Sequence, residues 1–325
     1  MKQEPFNILF TNVGRRVSLI RAFRETMNRM GLTGKLIGVD ANPLSPAYYV
    51  TDSSFPICPI HSKDYIPSLL DICRREQVKL LISLLDTDLV KLSENKDIFQ
   101  NKDIFVLISS LEIILLSRNK RITCDFFQQN AIPTPRILDY ETALAENSFP
   151  LFIKPIDGSA SHKTFLIENR EALSFFYQYV PNPLIMEYIS GDEYTLDLFI
   201  GLNKEVKGLV PRKRLEVRAG EVSKSQIVLN PEIMTAGRRV AEALAQKGAL
   251  GPLNVQCIHS HDHGIQFIEI NPRFGGGCPL SIHVGYPFPQ WSIETALGIP
   301  LSPIENNLGD GEIMLRYDDA IFVKP

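Results

Sequence analysis

Short apolar runs alternate with segments of helical period along the first third of the chain. Asn7 to Val13 is an apolar run of strand length, Arg16 to Met30 repeats apolar positions every three or four residues, and Lys35 to Ala41 is a second strand-sized run. In that order they make a βαβ unit. A helix over Asp64 to Glu76 and strands over Lys79 to Leu85 and Ile104 to Ser109 extend it into an open parallel sheet across about the first 110 residues. A second region begins near Ser117 with a helix through Asn130. Strands follow at Pro150 to Pro155, near Phe165 and at Leu184 to Ile189, with a helix from Arg170 to Val180 among them. From Gly191 onward the pattern is mainly that of strands, interrupted by a helix from Pro231 to Lys247.

Composition narrows the partners more than the fold. The 325 residues are 44% hydrophobic and 22% charged with a net charge of −3, which suits two or three globular domains and offers no basic surface to nucleic acid or an anionic membrane. The N-terminal Met1-Lys2-Gln3-Glu4-Pro5 lacks the apolar segment of a signal peptide, and the apolar runs are strand-sized, so no membrane span and a cytoplasmic location are expected. The five cysteines, Cys58, Cys73, Cys124, Cys257 and Cys278, are scattered and contain no C-x-x-C pair. They imply neither a disulfide frame nor a zinc site, and each is expected to be a small core residue.

The richest chemistry lies in Phe267-Ile268-Glu269-Ile270-Asn271-Pro272-Arg273. In an extended chain alternate residues share a face, so Glu269, Asn271 and Arg273 form one polar row with Ile268 and Ile270 behind it. Oxygen ligands suit a hard cation such as Mg²⁺, and an adjacent arginine suits the phosphate that the cation carries. The alternative is an edge strand with a solvated polar face. Upstream, Phe152-Ile153-Lys154-Pro155 ends a buried strand on a lysine, where an ammonium is costly unless an anion is supplied. The loop Ile156-Asp157-Gly158-Ser159-Ala160-Ser161-His162-Lys163 could close its amides over phosphates, or be an ordinary hairpin loop. Asn119-Lys120-Arg121 opens a helix with a second cation, and Glu187-Tyr188-Ile189 leads to a turn containing Asp192 and Glu193.

The first region offers weaker signals. The turn Asn12-Val13-Gly14-Arg15-Arg16 sits where ligands of open α/β sheets bind, but its single glycine falls short of a dinucleotide fingerprint. Asp40 either mimics a ribose-binding acid or forms a turn. Asp86-Thr87-Asp88 either meets the same edge or caps a helix. His259-Ser260-His261-Asp262-His263-Gly264 resembles a metal tract but joins two strands, and a solvated hairpin turn is the better reading.

Taken in order, Asn119-Lys120, Ile153-Lys154-Pro155 with Gly158 and Ser159, Glu187-Tyr188-Ile189 with Glu193, Asn254-Val255-Gln256, and Glu269-Ile270-Asn271-Pro272-Arg273 resemble the ATP-grasp superfamily. Within it the likeness is to the carbamoyl-phosphate-synthase-like group of carboxylate-amine ligases, and it covers nearly the whole chain. The resemblance implies an α/β ATP-grasp fold: a Rossmann-like, parallel-sheet pre-ATP-grasp domain at 1–115, a small lid domain at 116–190 and a β-rich C-terminal domain at 191–325. It implies that Lys120 and Lys154 hold ATP phosphates with the Gly158, Ser159 and Ser161 loop over them. Glu187, Tyr188 and Ile189 would meet adenine, and Glu193 the ribose. Gln256, Glu269 and Asn271 would hold Mg²⁺ or Mn²⁺, and Arg273 with Lys154 would act on the transferred phosphate.

Two departures from the family stand out. The lid loop is poor in glycine, and Gln256 stands where many relatives have a carboxylate, so its metal position would be the weaker one. The synthase pairs two such units in a longer chain and works with a glutaminase, so carbamoyl phosphate synthesis is not expected of this single unit. Arg15, Arg16, Asp86, Arg212 and Arg214 are the available residues for the acceptor substrate. The expected activity is an ADP-forming ligase that activates a carboxylate for attack by an amine, a thiol or another nucleophile, with a homodimer allowed. The alternatives are an ATP-binding sensor or interaction module without turnover and a Rossmann-type oxidoreductase.

Overall fold

The computed structural model describes residues 4–158, 162–218, 220–304 and 309–324. In the first region β1 (Asn7–Thr11), β2 (Leu36–Asp40), β3 (Ser53–Pro56), β4 (Val78–Ser83) and β5 (Phe105–Leu107) alternate with α1 (Val17–Arg29), α2 (Tyr65–Arg75), α3 (Asp86–Glu94) and α4 (Lys96–Gln100). The strands pair in parallel in the order β3-β2-β1-β4-β5. Every residue of β1 and β2 is buried, as expected of strands covered on both faces. Ile8 and Phe10 point into one core and Leu9 into another. The order reverses between β1 and β4, so the carboxyl ends of those two strands form the switch-point crevice of an open sheet.

The middle region contains α5 (Leu111–Arg118), α6 (Lys120–Gln129), β6 (Ile137–Leu138), α7 (Tyr140–Glu146), β7 (Leu151–Pro155), β8 (Phe165–Ile167), α8 (Arg170–Tyr179) and β9 (Pro183–Glu187). Its sheet is antiparallel in the order β6-β9-β7-β8 and has its own small core with α7 and α8. The helix expected from Ser117 through Asn130 is two helices. Asn119 is extended between them, and its side-chain oxygen accepts from the amides of Arg121 at 3.0 Å and Ile122 at 3.2 Å, capping α6.

The last region contains β10 (Asp192–Ile200), β11 (Val206–Arg218), β12 (Glu221–Ile227), α9 (Pro231–Gln246), β13 (Gly251–Ser260), β14 (Gly264–Asn271), α10 (Cys278–His283), α11 (Phe288–Leu297) and β15 (Ile313–Leu315). Its antiparallel sheet runs β14-β13-β10-β11-β12-β15. One face packs on α9 and on Phe126 and Phe127 of α6. The other sends Phe199, Val210 and Ile227 into the core shared by α1, β1, α10 and α11, with Trp291 at its centre. That shared core fixes the first sheet against the last. Among the described residues no helix is long and apolar enough to cross a membrane, and all five cysteines are free thiols, four of them buried and Cys58 half-buried.

Candidate functional site

The polar row of β14 faces the same side as its partners on β13 and β10. Gln256 lies opposite Glu269, Asn254 opposite Asn271 and Asp197 opposite Asn254. Pairing jumps from Gln256↔Glu269 to Cys257↔Phe267, leaving Ile268 as a bulge. Unbroken alternation would have put Phe267 on the polar face with Glu269. The bulge turns it into the core instead, and its amide donates to the Pro133 carbonyl at 2.8 Å.

Two lysines approach this row from different elements. Lys154, the fourth residue of β7, and Lys120, the first of α6, are both buried. Burial holds the ammonium of each below the ordinary lysine range, and Glu269 is the largest opposing influence on both. Lys120 Nζ donates to the Gly158 carbonyl, and its backbone amide to the Ile156 carbonyl at 3.0 Å, so the helix start is tied to the loop after β7. Ser159 and Ser161 lie outside the described residues.

Glu187 ends β9, and its amide donates to Arg136 O at 2.9 Å; Tyr188 is partly exposed and Ile189 is buried. These residues form the connection from the middle sheet to β10. Glu187 pairs with Leu151 and Lys154 with Leu184. The two positions are therefore about 10 Å apart along the strands, and the odd separation of Leu151 and Lys154 turns the two side chains towards opposite faces of the sheet. Glu193, half-exposed on β10, lies 3.5 Å from Arg214 Nε.

The donor set for a metal is one carboxylate and two amides. Among the described residues no group of three His, Cys, Asp or Glu is placed to hold an ion. Gln256 Oε1 already accepts from Arg214 Nη1 at 2.8 Å, and Asn271 Nδ2 donates to Asn254 Oδ1 at 3.2 Å, which leaves Asn271 Oδ1 for another partner. Glu269 with Asn271 fits Mg²⁺, which takes one or two protein ligands and completes its shell with phosphates and water. Gln256 fits less well, because its oxygen is engaged.

The arginines expected at the transferred phosphate and at the acceptor substrate differ in what they offer. Arg273 donates to Asp86 Oδ2 at 2.5 Å and to Phe274 O at 3.0 Å, and its Nε is buried without a partner. Arg15 and Arg16 reach Glu221 at 3.6 and 3.5 Å. Arg212 corrects the expectation of a substrate ligand. Its side chain is 1% exposed, and its Nε and Nη2 bind Asp197 bidentately at 2.7 and 2.9 Å, with Ser281 Oγ donating to the same carboxylate at 2.6 Å. Arg214 is likewise committed, to Gln256 and Glu193.

The switch-point turn is closed internally. The Gly14 amide, at φ +48°, donates to Asp40 Oδ2 at 2.8 Å, so Asp40 is a turn former and not a free ribose ligand. Asp88 is fully buried and accepts from Thr11 at 2.6 Å, Asn12 at 2.7 Å, Tyr65 at 3.1 Å and Ser83. This network holds the turn bearing Arg15 and Arg16 beside the first turn of α3 bearing Asp86. The sequence pattern leaves Asp88 between the binding edge and a helix cap, because its donors come from three segments, Thr11 with Asn12, Tyr65 and the nearby Ser83. Of the histidine tract, His261 and His263 occupy the exposed turn. His259 is the correction, since it belongs to β13 and faces Glu232 on α9 at 3.8 Å.

Comparisons with known proteins agree with this layout. Residues 8–107 match the family described as PylC-like, N-terminal domain, and residues 179–309 match ATP-grasp in the biosynthetic pathway with Ter operon. A D-alanine–D-alanine ligase of Fusobacterium nucleatum is 29% identical over 167 residues, 49% of this chain and 58% of that protein. The matched stretch thus spans less than two thirds of that relative's length. The biotin carboxylase domain of Hydrogenobacter thermophilus 2-oxoglutarate carboxylase, solved with MgADP, ADP and bicarbonate, superposes with a TM-score of 0.76 at 16% identity, covering 96% of this chain and 74% of that one. N5-carboxyaminoimidazole synthetase of Staphylococcus aureus with ADP gives 0.75 at 14% identity, over 93% and 80%. At such identities these likenesses establish the fold.

Proposed function

We propose that this chain, whose residues 179–309 match an ATP-grasp family model, is an ATP-grasp enzyme and an ADP-forming ligase, which activates a substrate carboxylate as an acyl phosphate for attack by an amine or another nucleophile. One observation carries the reading. Two lysines from separate elements are buried near each other, with Glu269 the one carboxylate acting on both and Asp157 and Asp86 acting on Lys120 in addition. Burying two like charges together is unfavourable unless a polyanion comes between them, and a nucleotide triphosphate is such a polyanion.

In this reading Lys120 and Lys154 bind the phosphates, and the Glu187 to Ile189 connection holds the base with Glu193 at the ribose. Mg²⁺ would be held by Glu269 and Asn271, with Gln256 secondary, and when bound it supplies neutralisation of phosphate charge. Arg273 stabilises charge on the transferred phosphoryl group while the substrate carboxylate attacks and ADP leaves. The residues thus contribute position and electrostatic stabilisation, which suits phosphoryl transfer between two anions. The three sheets support domains at 1–115, 116–190 and 191–325.

The test is ADP release from ATP and Mg²⁺ with pairs of carboxylates and amines. Carboxylate-dependent ADP formation is expected, abolished in Glu269→Gln and partly restored there by Mn²⁺ or high Mg²⁺, because the one charged oxygen ligand has been neutralised. Alanine at His261 and His263 should leave it unchanged. Nucleotide binding that is unaffected by any carboxylate and never yields ADP would favour a sensor module.

A further inference from the structure

Beside the catalytic row, three arginines from two distant parts of the chain converge on one carboxylate. Glu221, at the start of β12, has Oε2 3.6 Å from Arg15 Nη2 and 3.2 Å from Arg316 Nη1, and Oε1 3.5 Å from Arg16 Nη2. Arg15 and Arg16 come from the turn after β1, held by the Asp88 network. Arg316 follows β15, with its backbone amide donating to Ser223 O at 2.9 Å and Nη1 also donating to Val222 O at 3.2 Å. A Cβ on Gly276 would stand 2.9 Å from Arg16 Nη1 and 3.4 Å from Glu221 Oε2. The cluster therefore touches the loop that leaves Arg273, within reach of a substrate whose carboxylate meets the transferred phosphate.

The charges do not balance. Arg273 is matched by Asp86, and Arg218 by Asp318 at the outer edge. Among the described residues Glu221 is the carboxylate within 4 Å of all three guanidinium groups, and Asp86 and Asp318 act on Arg16 and Arg15 from farther off, so at contact range positive charge is in excess. Its oxygens offer about four acceptor positions, while each guanidinium carries five donors. Burial works against the charge on Glu221, yet Arg16, Arg316 and Arg15 outweigh it and hold the carboxyl below its usual range. Burial also lowers Arg16, against Glu221, and Arg273 and Arg316 add repulsion. The cluster opens to solvent, with the Arg15 side chain 62% exposed, Arg316 34% and Glu221 30%.

We infer that the substrate of the proposed ligase carries a second anionic group, a carboxylate or a phosphate ester, which Arg15, Arg16 and Arg316 bind, and whose place Glu221 fills until it arrives. Arginine forks match either group through paired hydrogen bonds. The inference rests on the ligase reading for what is activated, but the anion site stands on its own geometry.

The experiment is calorimetric titration of the full chain with acetate, succinate and inorganic phosphate, with and without saturating ADP and Mg²⁺. Succinate or phosphate should bind in the presence of ADP, and acetate at least about tenfold more weakly, the size of one charged hydrogen bond. Arg316→Ala and Arg15→Ala should each weaken the bound probe by about tenfold while ADP affinity is kept. Glu221→Gln should tighten it, because a competing carboxylate is removed; a merely structural Glu221 would give weakening or no change. Preference for succinate marks a dicarboxylate substrate, and preference for phosphate a phosphorylated one. Absence of succinate and phosphate binding to the ADP-loaded protein, or weaker binding in Glu221→Gln, overturns the inference. If the probes bind as expected and ADP does not bind at all, the ligase reading fails and the anion site stands.

Discussion

Arg273, two residues past the end of β14, donates through Nη2 to Asp86 Oδ2 in the first turn of α3, 187 residues away in sequence and 2.5 Å in space. Both side chains are mostly buried, at 16% and 19% exposure. The pair fixes the arginine of the proposed phosphate site from the switch-point crevice of the first sheet, so the proposed acceptor and nucleotide sides share one contact.

Removal of either partner should therefore destabilise the protein. Asp86→Ala and Arg273→Ala are each expected to cost about 1–3 kcal/mol in urea unfolding, as a charged hydrogen bond in a largely buried setting does. The double variant should cost less than the two combined, because the same contact is lost once. The two differ in kinetics: Arg273→Ala should abolish ADP formation, while Asp86→Ala should lower kcat/KM and keep part of kcat.

Arg212 illustrates what the sequence conceals. Its place beside Lys213 and Arg214 on β11 gives no sign that Asp197, one strand over and diagonal in register, binds its Nε and Nη2, since that requires β10 and β11 to pair with Thr195 opposite Arg212. Replacement by alanine would leave Asp197 buried with only Ser281 as a charge-relieving partner. The expected cost is about 3–5 kcal/mol. Arg212→Met combined with Asp197→Leu should recover most of it. Equilibrium unfolding of the single and double variants measures this, and an Arg212→Ala protein as stable as the parent but deficient in substrate binding would return this residue to the acceptor site.

The same contrast runs through the whole chain. Strand and helix periods made the parallel sheet and the long α9 legible, because apolar alternation is local and each of those elements buries a continuous face. The order of Lys120, Lys154, Glu187, Glu269 and Asn271 was likewise legible, since each motif is contained in a few consecutive residues. The bulge at Ile268, the break at Asn119, the Asp88 network and the convergence of Arg316 on Glu221 were not. The Asn119 break is a local side-chain cap inside an otherwise continuous helical period, and the others depend on partners far along the chain: Pro133 for Phe267, Thr11, Asn12 and Tyr65 for Asp88, and the short edge strand β15 for Arg316. That last strand, Ile313–Leu315, has three residues, too few for alternation to distinguish it from a tail.

The last prediction concerns pH. Burial depresses Lys154 below the ordinary lysine value of 10.5, with Glu269 as the main opposing charge. Polyphosphate favours the ammonium and raises its pKa again. Below the depressed value the lysine is charged whether nucleotide is bound or not, and ADP affinity is flat. Between the depressed value and the raised one, binding takes up a proton, so affinity must fall as pH rises. The unliganded protein has the opposite slope: its unfolded chain holds the proton up to 10.5, so Lys154 adds stability as pH climbs from the depressed value towards 10.5. Lys154→Met keeps most of the apolar stem and loses the charge. It should bind ADP more weakly at neutral pH, with a flatter alkaline profile, and lose this part of the alkaline gain in stability. Titration of both proteins with ADP from neutral to alkaline pH, in buffers of different ionisation enthalpy to count the proton, decides it. A wild-type affinity that stays flat with no proton uptake would place the phosphates away from Lys154.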